Sequence, residues 1–159
     1  MQTIESPSAP LGPLSQKLLA FLETMERLVS QAHAPTSAAY WSPMADFVSV
    51  DEFRRIVPEN AFSEPGDSSD DGNAPGEHTT MGWAEYLEAF NAWAESSPQY
   101  ENVIWRMAEF PDLVYLEVKE HHGKHVFHSL STYEFNRDGK ITSIRVAPAA
   151  RHLVTASSV

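Results

Sequence analysis

Two long runs near the C-terminus, Leu113–Val118 and Val126–Phe135, interleave β-branched and aromatic residues with polar ones, a pattern that predicts strands with one buried face. A third run, Ile141–Val146, follows Asp138-Gly139. Asp-Gly supplies the positive-φ backbone of a short hairpin, so Tyr133–Asn136 and Ile141–Val146 are expected to pair antiparallel. Gly123 separates the first two runs, and Val103–Phe110 supplies another strand before the Pro111-Asp112 turn.

Upstream the period changes. Leu14, Leu18, Leu22, Met25 and Val29, flanked by Leu19, Phe21 and Leu28, recur every three to four residues and predict a helix from Leu14 to Gln31, stopped at Ala34-Pro35. A short helix is expected from Thr36 to Trp41. Asp46–Glu52 alternates as a strand does, although Ser49-x-x-Glu52 also fits a capping box opening a helix over Phe53–Val57; the strand is favoured. Thr79 or Thr80 is placed to cap a helix reaching Ser96, with Trp83, Tyr86, Leu87, Phe90 and Trp93 on one face. Helices first and then four strands able to form an antiparallel meander indicate an α+β domain with a helical layer on one curved sheet.

The segments between these elements set the domain limits. Residues 1–13 hold three prolines and two serines and read as a flexible lead-in; 14–147 form one domain; 148–159 read as a tail. Pro58–Thr80, with three prolines, three glycines and the acidic run Asp67–Asp71, is expected to be a mobile insertion. It acts either as a lid or as a solvated loop with no role, the latter favoured.

Composition narrows the function. A net charge of −11, from 11 basic and 22 acidic residues, argues against a surface that tracks phosphates, so nucleic acid is not expected as a partner. No run approaches the roughly 18 apolar residues of a membrane span, and residues 1–13 lack a secretory signal pattern, so a soluble cytoplasmic protein is expected. The absence of cysteine excludes thiolate catalysis and cysteine-bound metals.

Three stretches together resemble the nuclear transport factor 2-like superfamily: Met44–Glu52 after the first helix, the aromatic helix Gly82–Ser96, and YEFNRDGKITSIR at Tyr133–Arg145. Within it the chain resembles SnoaL-like polyketide cyclases, ketosteroid isomerases and phenazine-biosynthesis A/B proteins, the last through HVFHS at His125–Ser129. The resemblance implies a cone, in which a curved antiparallel sheet wraps around the N-terminal helices and leaves an apolar pocket, and it implies a homodimer joined through the sheet. It implies cofactor-independent acid–base chemistry, as an isomerase, cyclase or dehydratase acting on a hydrophobic polyketide-like or polycyclic secondary metabolite. The alternative is a non-catalytic small-molecule-binding or dimerisation module. The carboxylate that many members carry late on the last strand is missing here, where Val146 stands between Arg145 and Ala147.

The proton work is therefore assigned to other groups. His125 and His128 are the candidate proton carriers, since imidazole titrates near neutrality. On a regular strand His125, Phe127, Ser129, Ser131, Tyr133 and Phe135 share one face, taken as the concave one, and Val126, His128, Leu130, Thr132 and Glu134 share the other. His122, His125 and His128 do not make a metal site, because residues three apart on a strand point to opposite sides. Arg106 and Glu117, on adjacent strands, form either a surface ion pair, the favoured reading, or a buried pair at the pocket mouth, where a carboxyl of raised pKa acts as acid and the guanidinium holds an enolate or phenolate. Most of the aromatic residues belong to the core; Tyr40 and Tyr133 are the first substrate contacts expected from the resemblance, with Trp41, Trp83, Tyr115 and Arg145 beside them.

Overall fold

The structure, a computed structural model, describes residues 3–4, 11–32, 37–58, 78–95, 100–122 and 125–147; the side chains at 3–4, 57–58, 78–79, 100–102, 105, 120–122, 125–127 and 147 lie outside that description. So do residues 59–77 of the insertion expected at 58–80, whose ends Pro58 and His78–Thr80 belong to strands, together with Gly123 and the tail at 148–159. The elements run β1 (Thr3–Ile4), α1 (Pro13–Gln31), a 3-10 segment (Ala38–Phe47), β2 (Arg54–Pro58), β3 (His78–Met81), α2 (Trp83–Glu95), β4 (Tyr100–Glu109), β5 (Leu113–His122), β6 (His125–Phe135) and β7 (Ile141–Ala147).

The strands form one sheet in the order β1-β4-β5-β6-β7-β2-β3. Its centre, β4 to β7, is the antiparallel meander that the sequence indicates. The sheet as a whole is mixed, because β1 joins β4 and β2 joins β7 in parallel. The hairpin between β6 and β7 closes through Asn136: its Oδ1 accepts from the amides of Asp138 and Lys140, and its own amide donates to the Lys140 carbonyl. Among the described residues only Gly139 takes a positive φ, of 70°, so the Asp-Gly pair contributes one left-handed residue rather than two.

Three boundaries depart from the sequence reading. The expected helix at Thr36–Trp41 is a 3-10 segment that continues past Pro43 to Phe47. The expected strand at Asp46–Glu52 is replaced by a turn: Val48 makes a single bridge to Ile141, and the amides of Glu52 and Phe53 both donate to the Ser49 carbonyl. Ser49 Oγ also donates to Glu52 Oε2 at 2.7 Å, and Asn136 Nδ2 adds a bond of 3.0 Å. This is capping-box chemistry confined to one turn and followed by a strand instead of a helix. Lastly, Thr79 and Thr80 lie in β3, and α2 starts at Trp83, where Glu85 Oε2 reaches back to the Gly82 amide at 3.1 Å.

Helix α1 shows how the layers are tied together. Its N-cap is Gly12, which has no side chain to satisfy the first amides, and Pro13 follows it. Glu109 on β4 does that work, accepting from the amides of Ser15 at 2.8 Å and Leu14 at 3.4 Å. The missing Cβ of Gly12 is what makes room for the carboxylate. Burial alone would raise the Glu109 carboxyl, but hydrogen bonds from the Ser15 hydroxyl and from the Ser15 and Leu14 amides outweigh it and hold the group below its usual value of 4.5.

Glu109→Gln and Gly12→Ala are each expected to cost about 1–2 kcal/mol in urea unfolding, and their losses should not add, because both remove the same cap. A lowered native pKa contributes stability that is fully present above pH 4.5 and lost as pH falls through the native value. The gap in melting temperature between wild type and Glu109→Gln should therefore be full at neutral pH and shrink in acid. Additive losses, or a gap indifferent to acid, would contradict this role.

The core lies between α1, the 3-10 segment and α2 on one side and the concave face of the sheet on the other. Exposure of the concave face varies along the strands. On β5, Val114, Leu116 and Val118 are 0%, 1% and 5% exposed, and on β7 Ile141 and Ile144 are sealed whereas Val146 is half-buried. Beside the β6–β7 hairpin a cavity of about 240 Å³ is lined by Lys17, Phe47, Phe135, Gly139 and Ile141 among others, and further along the strands Ser129 and Val146 are half-buried on the concave side.

Candidate functional site

Register decides which side chains can meet inside the cone. Strand β6 pairs with β5 without interruption from His122↔His125 to Leu113↔Glu134. Alternation is therefore preserved along it: Ser131, Tyr133 and Phe135 are buried and Ser129 is half-buried on the concave side, opposite the core residues Val118, Leu116 and Val114. Backbone position 125 has the parity of this set, while the His125 side chain lies outside the described residues.

His128 has the opposite parity. It is half-buried on the convex face, opposite Lys119, where Leu130 faces Glu117 and Thr132 faces both Tyr115 and Arg145. Arg106 and Glu117 are register partners on this same face, with Nε and Oε2 3.9 Å apart and side chains 66% and 15% exposed. That geometry matches the surface ion pair and not a buried one. Tyr115 donates to Glu117 Oε2 at 3.4 Å. Burial first, then the charge of Glu117 and the hydrogen bond to it, raise the Tyr115 hydroxyl above its usual 10, and Arg106 opposes them. Arg145 is exposed on the convex side. Arg106, Glu117, His128, Tyr115 and Arg145 thus form one convex group, separated by the sheet from the interior.

The expected aromatic contacts are mostly structural supports. Trp41 is fully buried, stands edge-on to Tyr40 and Phe90 with ring centroids 4.8 and 4.9 Å away, and donates from Nε1 to Asn91 Oδ1 at 2.8 Å. Tyr40 donates to the Leu28 carbonyl at 2.7 Å and so clamps the 3-10 segment to α1. Trp83 packs edge-on against Phe53 at 5.1 Å. Tyr133 is the expected contact that faces the interior from the sheet itself, paired with Ile144 on β7.

One interior group was not legible in the sequence. Arg55 on β2 pairs with Ile144 and with Met81, shares the parity of buried Phe53, and is half-buried with its guanidinium carbon 5.5 Å from the centre of the Tyr86 ring. Its neighbour Arg54 has the other parity and is exposed. The alternation Phe53, Arg55, Val57 against Arg54, Ile56 would have revealed it, had the strand been placed after the turn rather than before it.

The concave surface around Arg55 is aromatic, aliphatic and hydroxylated. On the same side of the sheet, four strands away on β4, the carboxylate of Glu109 is committed to the N-terminus of α1. Position 146, vacant of an acid, places a half-buried valine opposite Ser131. Among the described residues no three His, Asp or Glu side chains are grouped to hold a metal ion, and no helix is long and apolar enough to cross a membrane.

No protein-family model matches the sequence, and no curated protein matches it significantly. Solved structures do match over most of the chain. One is an NTF2-like protein of unknown function from Cytophaga hutchinsonii, at 14% identity, 88% coverage of this chain, 93% of that one and a TM-score of 0.53. A second is a candidate SnoaL-like polyketide cyclase from Jannaschia, at 12% identity, 88% and 90% coverage and a TM-score of 0.55. A third is a steroid delta-isomerase from Pseudomonas aeruginosa, at 15% identity, 87% and 82% coverage and a TM-score of 0.51. Identity this low speaks for architecture alone. With its helices held inside a curved, unclosed sheet of seven strands, the chain has the nuclear transport factor 2-like fold, the α+β cone of the NTF2-like and SnoaL-like proteins.

Proposed function

We propose that the protein is a cofactor-independent enzyme of the isomerase, cyclase or dehydratase type, which takes a hydrophobic ring compound at the open end of the cone and moves a proton on it. The observation that carries this reading is that Ser129 and Val146 are half-buried on the concave side, a hydroxylated and an apolar group toward the end of β6 to which position 125 belongs. His125 is the proton carrier: its imidazole removes a proton from carbon next to a carbonyl and returns one to the same or a conjugated carbon, and no cofactor enters the step. Ser129, Ser131 and Tyr133 supply the hydroxyl-bearing wall. The likeness to a steroid isomerase and to a polyketide-cyclase candidate supports this substrate class.

A second reading, a pocket that binds without turnover, is favoured by a separate observation: Glu109 is already engaged with α1, Glu117 lies on the convex face, and apart from Glu26, half-buried on α1, the other described carboxylates are exposed. Self-association through the convex face, with Tyr115, Glu117 and Leu130 already half-buried in one chain, belongs to both readings.

The test is deuterium incorporation into 2-tetralone in heavy water, followed by proton NMR, with heat-unfolded protein as the control. The enzyme reading expects native protein to accelerate exchange at the benzylic carbon next to the carbonyl. Binding of a hydrophobic probe without acceleration would favour the second reading, and neither binding nor acceleration would sink both.

A further inference from the structure

Arg55 is an expensive residue for the place it occupies. A guanidinium loses hydration when half-buried, and this is offset where a carboxylate pairs with it or an aromatic face stacks on it. Among the described residues Arg55 has the second kind of partner, Tyr86, and no ion pair. Its register neighbours on the concave side are Ile144 and Met81. Nothing apolar there needs a cation. The Tyr86 ring lies 5.5 Å from the guanidinium carbon, and among the described residues no hydrogen bond engages the N–H donors of Arg55, which suits two-point recognition of a planar anion.

We propose that Arg55 is the anion-binding group of the concave site, and that the ligand is a hydrophobic ring compound bearing one acidic group, a carboxylate or an ionised enol or phenol. The inference rests on the reading of the concave face as the binding site. It narrows that reading, since a steroid-like neutral substrate would leave the cation unanswered. The charge at this site comes from the protein as a cation and from the ligand as an anion. Tyr86 positions the guanidinium, and Phe53, Trp83 and Phe90 around Tyr86 hold that ring in place, at centroid distances of 5.3, 5.6 and 5.9 Å.

The experiment uses two fluorescent probes with the same ring system, 1-anilinonaphthalene-8-sulfonate and its uncharged counterpart N-phenyl-1-naphthylamine, titrated against the full chain. Arg55→Met is expected to weaken the sulfonate by about tenfold or more and to leave the neutral probe within about twofold, with Arg55→Lys intermediate. Arg54→Met, on the opposite face, should change neither. An arm that needs no variant uses wild-type protein, from which 2-naphthoate should displace the bound sulfonate at concentrations where 2-naphthamide does not.

If Arg55→Met weakens both probes equally or neither, or if naphthoate and naphthamide compete alike, the anion role of Arg55 is overturned while the concave site stands. Should neither probe bind wild-type protein, the concave site itself is wrong and this inference falls with it.

Discussion

His125→Asn is expected to lower the protein-dependent rate of deuterium exchange by about 10²–10⁴-fold, the usual worth of a positioned general base. Asparagine keeps a polar side chain of similar reach and removes only the ability to take up and return a proton. Affinity for the neutral naphthylamine probe should therefore stay within about twofold, which separates chemistry from binding. The companion variant His128→Gln is expected to keep its exchange rate, because unbroken register from residue 125 to residue 134 gives positions 125 and 128 opposite parity and His128 faces Lys119 on the convex side. Full activity in His125→Asn, or loss confined to His128→Gln, would reverse the assignment.

Trp41→Ala is expected to cost about 3–5 kcal/mol in urea unfolding, enough to consume much of the stability of a domain this size. Its side chain is fully buried at the junction of the 3-10 segment, α1 and α2, and two rings meet it edge-on. Trp41→Phe keeps most of that contact and withdraws only the indole donor to Asn91, for an expected loss of about 1–2 kcal/mol. The ordering matters because the sequence reading placed Trp41 among the substrate contacts. A tryptophan that lines an open pocket would lose far less stability on truncation, so a cost below about 1 kcal/mol for Trp41→Ala would return it to the site.

How far such roles could be read from the chain depends on how long each pattern runs. Helix α1 and the β6–β7 hairpin were legible because one repeats its apolar stripe over five turns and the other carries Asp-Gly between two alternating runs. The alternation of Ser131, Tyr133 and Phe135 toward the core was legible for the same reason. The pairing of Arg106 with Glu117 followed from two adjacent strands of ordinary length, even across the break in register between Ile104 and Arg106.

Ser49–Glu52 was not legible, since four residues fit a strand edge and a helix cap equally, and the choice was made by Asn136, 84 residues away. That local ambiguity shifted the start of β2 and hid Arg55. Trp41 was hidden differently. Whether an aromatic faces substrate or core depends on what packs over it, and here that is Phe90 from a helix about 50 positions along the chain.

The central claim is that ligand binds on the concave face of the sheet and not on the convex one, and methyl NMR separates the two directly. With 1-anilinonaphthalene-8-sulfonate added to methyl-labelled protein, the account predicts ring-current shifts at Val146, Val118, Ile144 and Met81, whose register places them inside the cone. Leu130 on β6, Ile56 on β2 and Leu113 on β5, whose register places them on the opposite face, should stay still. Shifts at Leu130, Ile56 and Leu113 with Val146 and Val118 unmoved would put the ligand on the outer surface and contradict the account.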